Sequence, residues 1–226
     1  MQGFQGVYEL AEASRYLSLT GPRGAMYPNV RRWVRSGVLW PEASCTHAKE
    51  FYLTFGDLVS LRMIVTLRAA GFSFQRIRRV HGELQRITGC SRPFALKDLW
   101  VSETDVFVEM EGWLAVTRRG QYAMEFVKDW LRHLPRYPSY LPDLSFREAG
   151  GYEVASAWMP RLHVLLNPLV QFGAPCIEGT RIPTRAVWSM YLGGDRLDAI
   201  ADDYNVPLEK AMAALDWERS VAELVC

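Results

Sequence analysis

Cysteine is sparse and scattered. Cys45, Cys90, Cys176 and Cys226 are spread over 226 positions with no Cys-x-x-Cys pair and no histidine at ligand spacing, which argues against a zinc site or a disulfide framework and leaves four free thiols as the expectation. The histidines, His47, His81, His133 and His163, lie equally far apart, and the chain has no Gly-x-Ser-x-Gly elbow, no phosphate-binding glycine loop and no His-Glu-x-x-His helix. Asp202-Asp203 is a poor metal pair, because adjacent residues on a helix point about 100° apart. The chain is therefore expected not to be an enzyme and to need no metal or cofactor. Apolar runs stop far short of a membrane span, and Met1-Gln2-Gly3-Phe4 lacks a basic, apolar leader, so a cytoplasmic protein without a membrane partner is expected.

What is present is an ordinary globular composition with an uneven charge. Hydrophobic residues make up 49% of the chain, with 12 prolines and 17 glycines, enough for one large domain or two small ones. The net charge is only +1, yet residues 1–92 hold 13 bases against 6 acids, while residues 93–226 hold 13 bases against 19 acids. The first segment suits a polyanion and the second does not.

The N-terminal segment reads as helices. Leu10, Ala13 and Leu17 share a face of a first helix over Tyr8–Leu17, which Thr20-Gly21-Pro22-Arg23-Gly24 interrupts. In Asn29 to Leu39, Val30, Trp33 and Val34 fall on one face and Arg31, Arg32 and Arg35 on the other, with Gly37 as a left-handed cap. A basic helix of about two turns has the width and charge for the major groove. Pro41 to Tyr52 fits a short β-wing, with His47 and Lys49 in reach of a nucleic-acid backbone. A periodic helix follows over Asp57–Ala69 (Leu58, Leu61, Ile64, Val65, Arg68), closed by Gly71. Ser73 then caps another helix with Ile77, Val80 and Leu84 inward and Arg76, Arg78, Arg79 and Arg86 outward.

Beyond Pro93 the pattern turns to short β-rich runs. Asp98–Val101, Val106–Met110 and Trp113–Thr117, with Glu111-Gly112 as a turn, predict a small antiparallel sheet. A helix is expected over Glu125–Leu134, then a stiff proline-bearing connector from Pro135 to Gly151. Val154–Val164 leads into the C-terminal segment. There Cys176-Ile177-Glu178-Gly179-Thr180-Arg181-Ile182-Pro183 reads as a rigid turn opening a helix. Val187, Met190 and Tyr191 mark that helix, ended by Gly193-Gly194. Asp195 is placed to cap a second with Leu197, Ile200, Ala201 and Tyr204, and Pro207 opens a third with Leu208, Ala211, Met212 and Leu215.

Two stretches resemble known families. Asn167-Pro168, Gly173, Pro175, Ile177, Gly179-Thr180-Arg181-Ile182-Pro183, Gly194, Leu197, Ile200-Ala201 and Tyr204 resemble the small C-terminal domain of a branch of VapB-type antitoxins. Val30 to Leu39, Phe55-Gly56-Asp57-Leu58 and Leu61 to Phe74 resemble the winged helix-turn-helix of MerR-type regulators. In that likeness Arg31 matches the DNA-contacting arginine and Arg32 replaces an aromatic. No heptad array follows, which argues against a small-molecule-sensing activator of that family.

The fold class expected is thus α+β, mainly α. A MerR-like winged helix-turn-helix over residues 1–92 is followed by a β-rich connector over 93–162 and a helix-turn-helix-like three-helix bundle over 163–226. The resemblances imply a type II antitoxin that neutralises a PIN-type ribonuclease toxin and represses its own operon as a homodimer. The alternative is a stand-alone MerR-like regulator dimerised by the C-terminal bundle. Operator DNA is expected to meet Arg23, Asn29, Arg31, Arg32, Arg35 and Lys49. The C-terminal bundle carries 9 acids against 5 bases, so it is expected to bind protein rather than DNA. Its expected anchors are Arg181, Arg185, Trp188, Tyr191 and Trp217, since aromatics and arginines supply most interface energy.

Overall fold

The computed structural model describes residues 6–20, 27–35, 52–97, 99–101, 106–110, 113–116, 122–123 and 143–224. Strand β1 (Tyr8–Glu9) runs into α1 (Leu10–Thr20), and α2 (Tyr27–Arg35) follows. The first helix starts two residues later than its apolar spacing suggests, because Tyr8 and Glu9 pair with β2 (Tyr52–Leu53) instead. Helix α3 (Phe55–Ala69) opens at a capping box: the Asp57 N–H donates to Thr54 Oγ1 (3.2 Å), and the Thr54 N–H donates to the Asp57 carboxylate (2.9 Å). Helix α4 (Phe74–Thr88) opens at Ser73, whose hydroxyl accepts from the Arg76 N–H, as expected.

Strands β3 (Leu99–Val101), β4 (Val106–Met110), β5 (Trp113–Val116) and β6 (Tyr122–Ala123) form an antiparallel sheet in sequence order. The first three stand where the sequence pattern puts them. The expected helix over 125–134, the Gly37 cap and the wing before Tyr52 lie outside the described residues.

A second sheet corrects the expected connector. Leu144–Ala149 is a strand, β7, joined through Gly150-Gly151 to β8 (Tyr152–Arg161); β9 (Val164–Leu166) and β10 (Pro175–Ile177) complete the order β10-β9-β8-β7. The end of the supposed linker therefore spends its backbone hydrogen bonds on a ladder. Three helices close the chain: α5 (Thr184–Leu192), α6 (Leu197–Asp203) and α7 (Leu208–Glu223). Asp195 does not cap α6. Arg196 holds that position, and its guanidinium pairs with Asp198. The whole is α+β and mostly helical.

One large hydrophobic cluster joins these pieces. It takes Leu17 from α1, Val30 and Trp33 from α2, Leu58, Leu61 and Ile64 from α3, Trp158 from β8, Val164 and Leu166 from β9, and Trp217 from α7. A smaller one holds Ile177, Val187, Ile200 and Ala214. Polar contacts seal the joints. The buried Arg62 guanidinium pairs with Asp143 at 2.9 Å and lies over the Trp158 ring, whose Nε1–H donates to the same carboxylate at 2.9 Å. Breaking a buried pair by removing one partner costs about 3–5 kcal/mol, so α3 and the second sheet are firmly tied. The Tyr8 hydroxyl donates to the Gly173 carbonyl at 2.9 Å, and Tyr16 meets Trp217 at 5.3 Å between ring centroids.

Candidate nucleic-acid and partner interfaces

Helix α2 is held by one face only. Val30, Trp33 and Val34 are buried, and the Trp33 ring packs against Phe74 of α4 at 5.4 Å. Three buried positions on one helical face leave Arg31 and Arg32 exposed on the other. Asn29 is half-buried, and its side-chain oxygen accepts from the Arg32 guanidinium at 3.2 Å, which orients that arginine along the helix. Arg35 ends α2, its side chain lying outside the described residues along with Arg23 and Lys49.

Arg68 adds to this face. It continues the periodic positions of α3 and is exposed. Its guanidinium donates to the Phe72 carbonyl at 2.7 Å and lies 4.4 Å from the Phe74 ring centroid. It thereby faces Arg32 across an open cleft floored by Trp33, Val65 and Phe74. The signal was charge rather than spacing: an arginine extending a stripe at the last turn of a helix can snorkel outward. On α4, Arg78, Arg79 and Arg86 are exposed as expected, while Arg76 is half-buried over Phe72. Exposed guanidiniums on α2, α3 and α4 give this part a cationic surface, which suits phosphate.

The C-terminal anchors separate into two groups. The turn before α5 is closed by its own backbone: the Ile177 N–H donates to the Ile182 carbonyl at 2.9 Å, and the Thr180 hydroxyl donates to the Ile177 carbonyl at 2.8 Å. Gly179 stands at φ +78°, the left-handed region, and Lys210 Nζ donates to the Glu178 carbonyl at 3.1 Å, tying the turn to α7. Arg181 and Arg185 extend outward from this rigid base, Tyr191 is exposed, and Trp188 is half-buried. Trp217 is a correction. It is 1% exposed, packed on Tyr16 in the large cluster, so it is a core residue and not a surface anchor. The three-helix unit alone would leave Trp217 outside its small core, and α1 is what covers it.

The polar layer under Arg185 is titratable. Thr184 is buried and its hydroxyl donates to Glu218. Burial pushes the Glu218 carboxyl up, opposed by that hydrogen bond and by the charge of Arg185. Burial likewise pushes the Cys176 thiol up to about 11, so it is a packed residue rather than a nucleophile. Among the described residues, no group of three histidine, cysteine or carboxylate side chains is arranged to hold a metal, and no helix is long and apolar enough to cross a membrane.

Comparison with known proteins matches this geometry. Residues 8–84, from β1 to late α4, match the MerR HTH family of regulatory proteins. Residues 164–217, from β9 into α7, match a family described as a protein of unknown function, DUF433. Across its length the chain is 28% identical to the "Putative antitoxin VapB45" of Mycobacterium tuberculosis, covering 93% of this chain and 92% of that one. The crystal structure of Rv2018 from the same organism superposes with a TM-score of 0.59 at 25% identity, covering 92% of this chain and 96% of the other. The chain is thus similar along nearly its whole length to a putative VapB antitoxin, with a match to the MerR HTH family in its N-terminal part and to DUF433 in its C-terminal part.

Proposed function

We propose that this chain is the antitoxin of a type II toxin–antitoxin pair. Its N-terminal segment, residues 1–92, binds operator DNA through the outer face of α2 and represses its own operon; residues 93–162 connect; residues 163–226 bind and neutralise a PIN-type ribonuclease. It acts in the cytoplasm as a homodimer, without cofactor or catalytic step. The observation that carries the reading is the pair Arg31 and Arg32, exposed on a helix whose opposite face is fixed in the core. Arg23, Asn29, Arg35 and Lys49 join them in the proposed DNA surface. Arg181, Arg185, Trp188 and Tyr191 belong to the proposed protein-binding surface. A two-fold operator fits a dimer, because one helix-turn-helix unit reads one half-site.

The test has two arms. Fluorescence anisotropy on the promoter of the chain's own operon, repeated from 50 to 200 mM salt, should show steep salt dependence. Arg31→Ala should flatten the log–log slope by about 1 for each phosphate that the guanidinium neutralises. Co-expression with the PIN-type nuclease of the proposed pair should protect cells from it. Tight, salt-sensitive promoter binding without protection would make the chain a stand-alone regulator; an unchanged slope for Arg31→Ala would remove α2 from the DNA surface.

A further inference from the structure

Helix α4 carries a glycine where neither its backbone nor its packing asks for one. Gly82 lies mid-helix, a Cβ placed there would meet nothing within 4 Å, and glycine is the poorest helix former after proline. Its direction is set by the core. Ile77, Val80 and Leu84 are buried on the inner side of α4, and at 100° per residue Gly82 points within about 15° of the direction opposite to their mean. The middle of the solvent face is therefore bare main chain.

The side chains around that patch are cationic. Residues three and four apart on a helix are neighbours, with Cβ atoms about 5–6 Å apart. For Gly82 those neighbours are Arg78, Arg79, Gln85 and Arg86, and all four are exposed. Three guanidiniums and an amide thus stand around a floor with no side chain of its own. The one carboxylate of α4, Glu83, lies beside this ring and pairs with Arg86 at 3.0 Å. That pair is open to solvent, at 62% and 35% exposure, so Arg86 can exchange Glu83 for another anion with little loss. With Glu83 counted, the ring still keeps a surplus of positive charge.

Such a seat suits a phosphate. Guanidiniums grip phosphate oxygens through paired N–H donors, and a glycine floor lets the anion sink between them instead of riding above a side chain. The seat also lies beside α2: Phe74, one turn before Arg78, packs on Trp33 at 5.4 Å. We propose that a phosphate of the operator backbone, outside the bases that α2 faces, seats over Gly82 between Arg78, Arg79 and Arg86. This rests on the DNA binding proposed above and gives it a second contact surface on α4.

The experiment is fluorescence anisotropy of the full chain on its own promoter from 50 to 200 mM salt, with thermal unfolding to follow the fold. The double variant Arg78→Gln, Arg79→Gln should flatten the log–log slope by about 0.9, the share of one phosphate, and lower affinity by about eightfold at 0.1 M salt. Gly82→Gln should raise Tm, because glutamine is the better helix former and meets nothing in the fold, yet it should weaken DNA binding by a similar factor because its side chain fills the seat. Arg219→Gln removes one charge from an exposed ion pair on α7 and should leave the slope unchanged. An unchanged slope for the double variant, or undiminished affinity of Gly82→Gln, overturns the seat while leaving binding through α2 standing. So does an Arg219→Gln slope that flattens as much as that of the double variant, since the effect is then one of net charge. Absence of salt-sensitive promoter binding by the unmodified chain overturns the DNA-binding reading itself, and the seat with it.

Discussion

Replacing Trp217 by alanine should destabilise the N-terminal helices of the molecule from a position near the other terminus. Trp217 is 1% exposed and packs on Tyr16, itself 5% exposed, within the cluster that also contains Val30 and Trp33 of α2. Truncating a buried tryptophan costs about 3–5 kcal/mol, of which the aromatic pair accounts for about 0.5–1.5 kcal/mol. For a chain of this size each kcal/mol lowers Tm by about 2–4 °C, so a fall of about 6–20 °C is expected. The indole N–H of Trp217 is buried and meets no acceptor among the described residues. Trp217→Phe should therefore cost less than the full truncation, because it sheds an unpaired donor together with the apolar area it gives up. Thermal unfolding followed by far-ultraviolet circular dichroism and by calorimetry should show one transition, moved as a whole. Two transitions, with only the smaller one moved, would refute the idea that α1 and α7 belong to one cooperative core.

Two further outcomes follow from local geometry. Gly173 stands at φ +89°, and a Cβ there would come within 2.3 Å of the Tyr8 hydroxyl, so Gly173→Ala should cost about 1–3 kcal/mol in urea denaturation. Tyr8→Phe alone should cost about 1 kcal/mol, and the double variant should lose less than the sum; strict additivity would show that the N-terminal strand does not rest on Gly173. Burial beneath Phe94 lowers the His81 imidazole from 6.5 to about 4. As pH falls from about 6.5 to 4 the unfolded chain takes up this proton and the folded chain does not, so stability declines across that window by up to about 3 kcal/mol. His81→Leu should remove that share of the acid sensitivity, and an unchanged stability–pH curve would show that the ring is not held neutral.

Local order was legible wherever a short stretch of chain carries its own instructions. Ser73 specifies the start of α4 by accepting from the Arg76 N–H, whereas the capping box at Thr54 opens α3 at Phe55, two residues before the apolar rhythm places its start. The alternation of Val106–Met110 and Trp113–Val116 around Glu111-Gly112 specifies a hairpin. Arg31 and Arg32 could be placed outside because Val30, Trp33 and Val34 claim the other face. Where the partner is distant, the same reasoning failed. Leu144–Ala149 follows a stretch with several prolines, and nothing nearby announces that Trp158 and Asp143 will anchor it.

The sequence alone determined that α2, α3 and α4 coil, that β4 and β5 pair, and that positive charge gathers in the N-terminal segment, because these depend on neighbours within a few positions and on composition. Only tertiary structure decided that Arg62 is buried against Asp143, that Trp217 belongs to the core, and that Tyr8 reaches the Gly173 carbonyl. Those choices depend on contacts between residues far apart in the chain, where a side chain is inside or outside according to what else the fold brings to cover it.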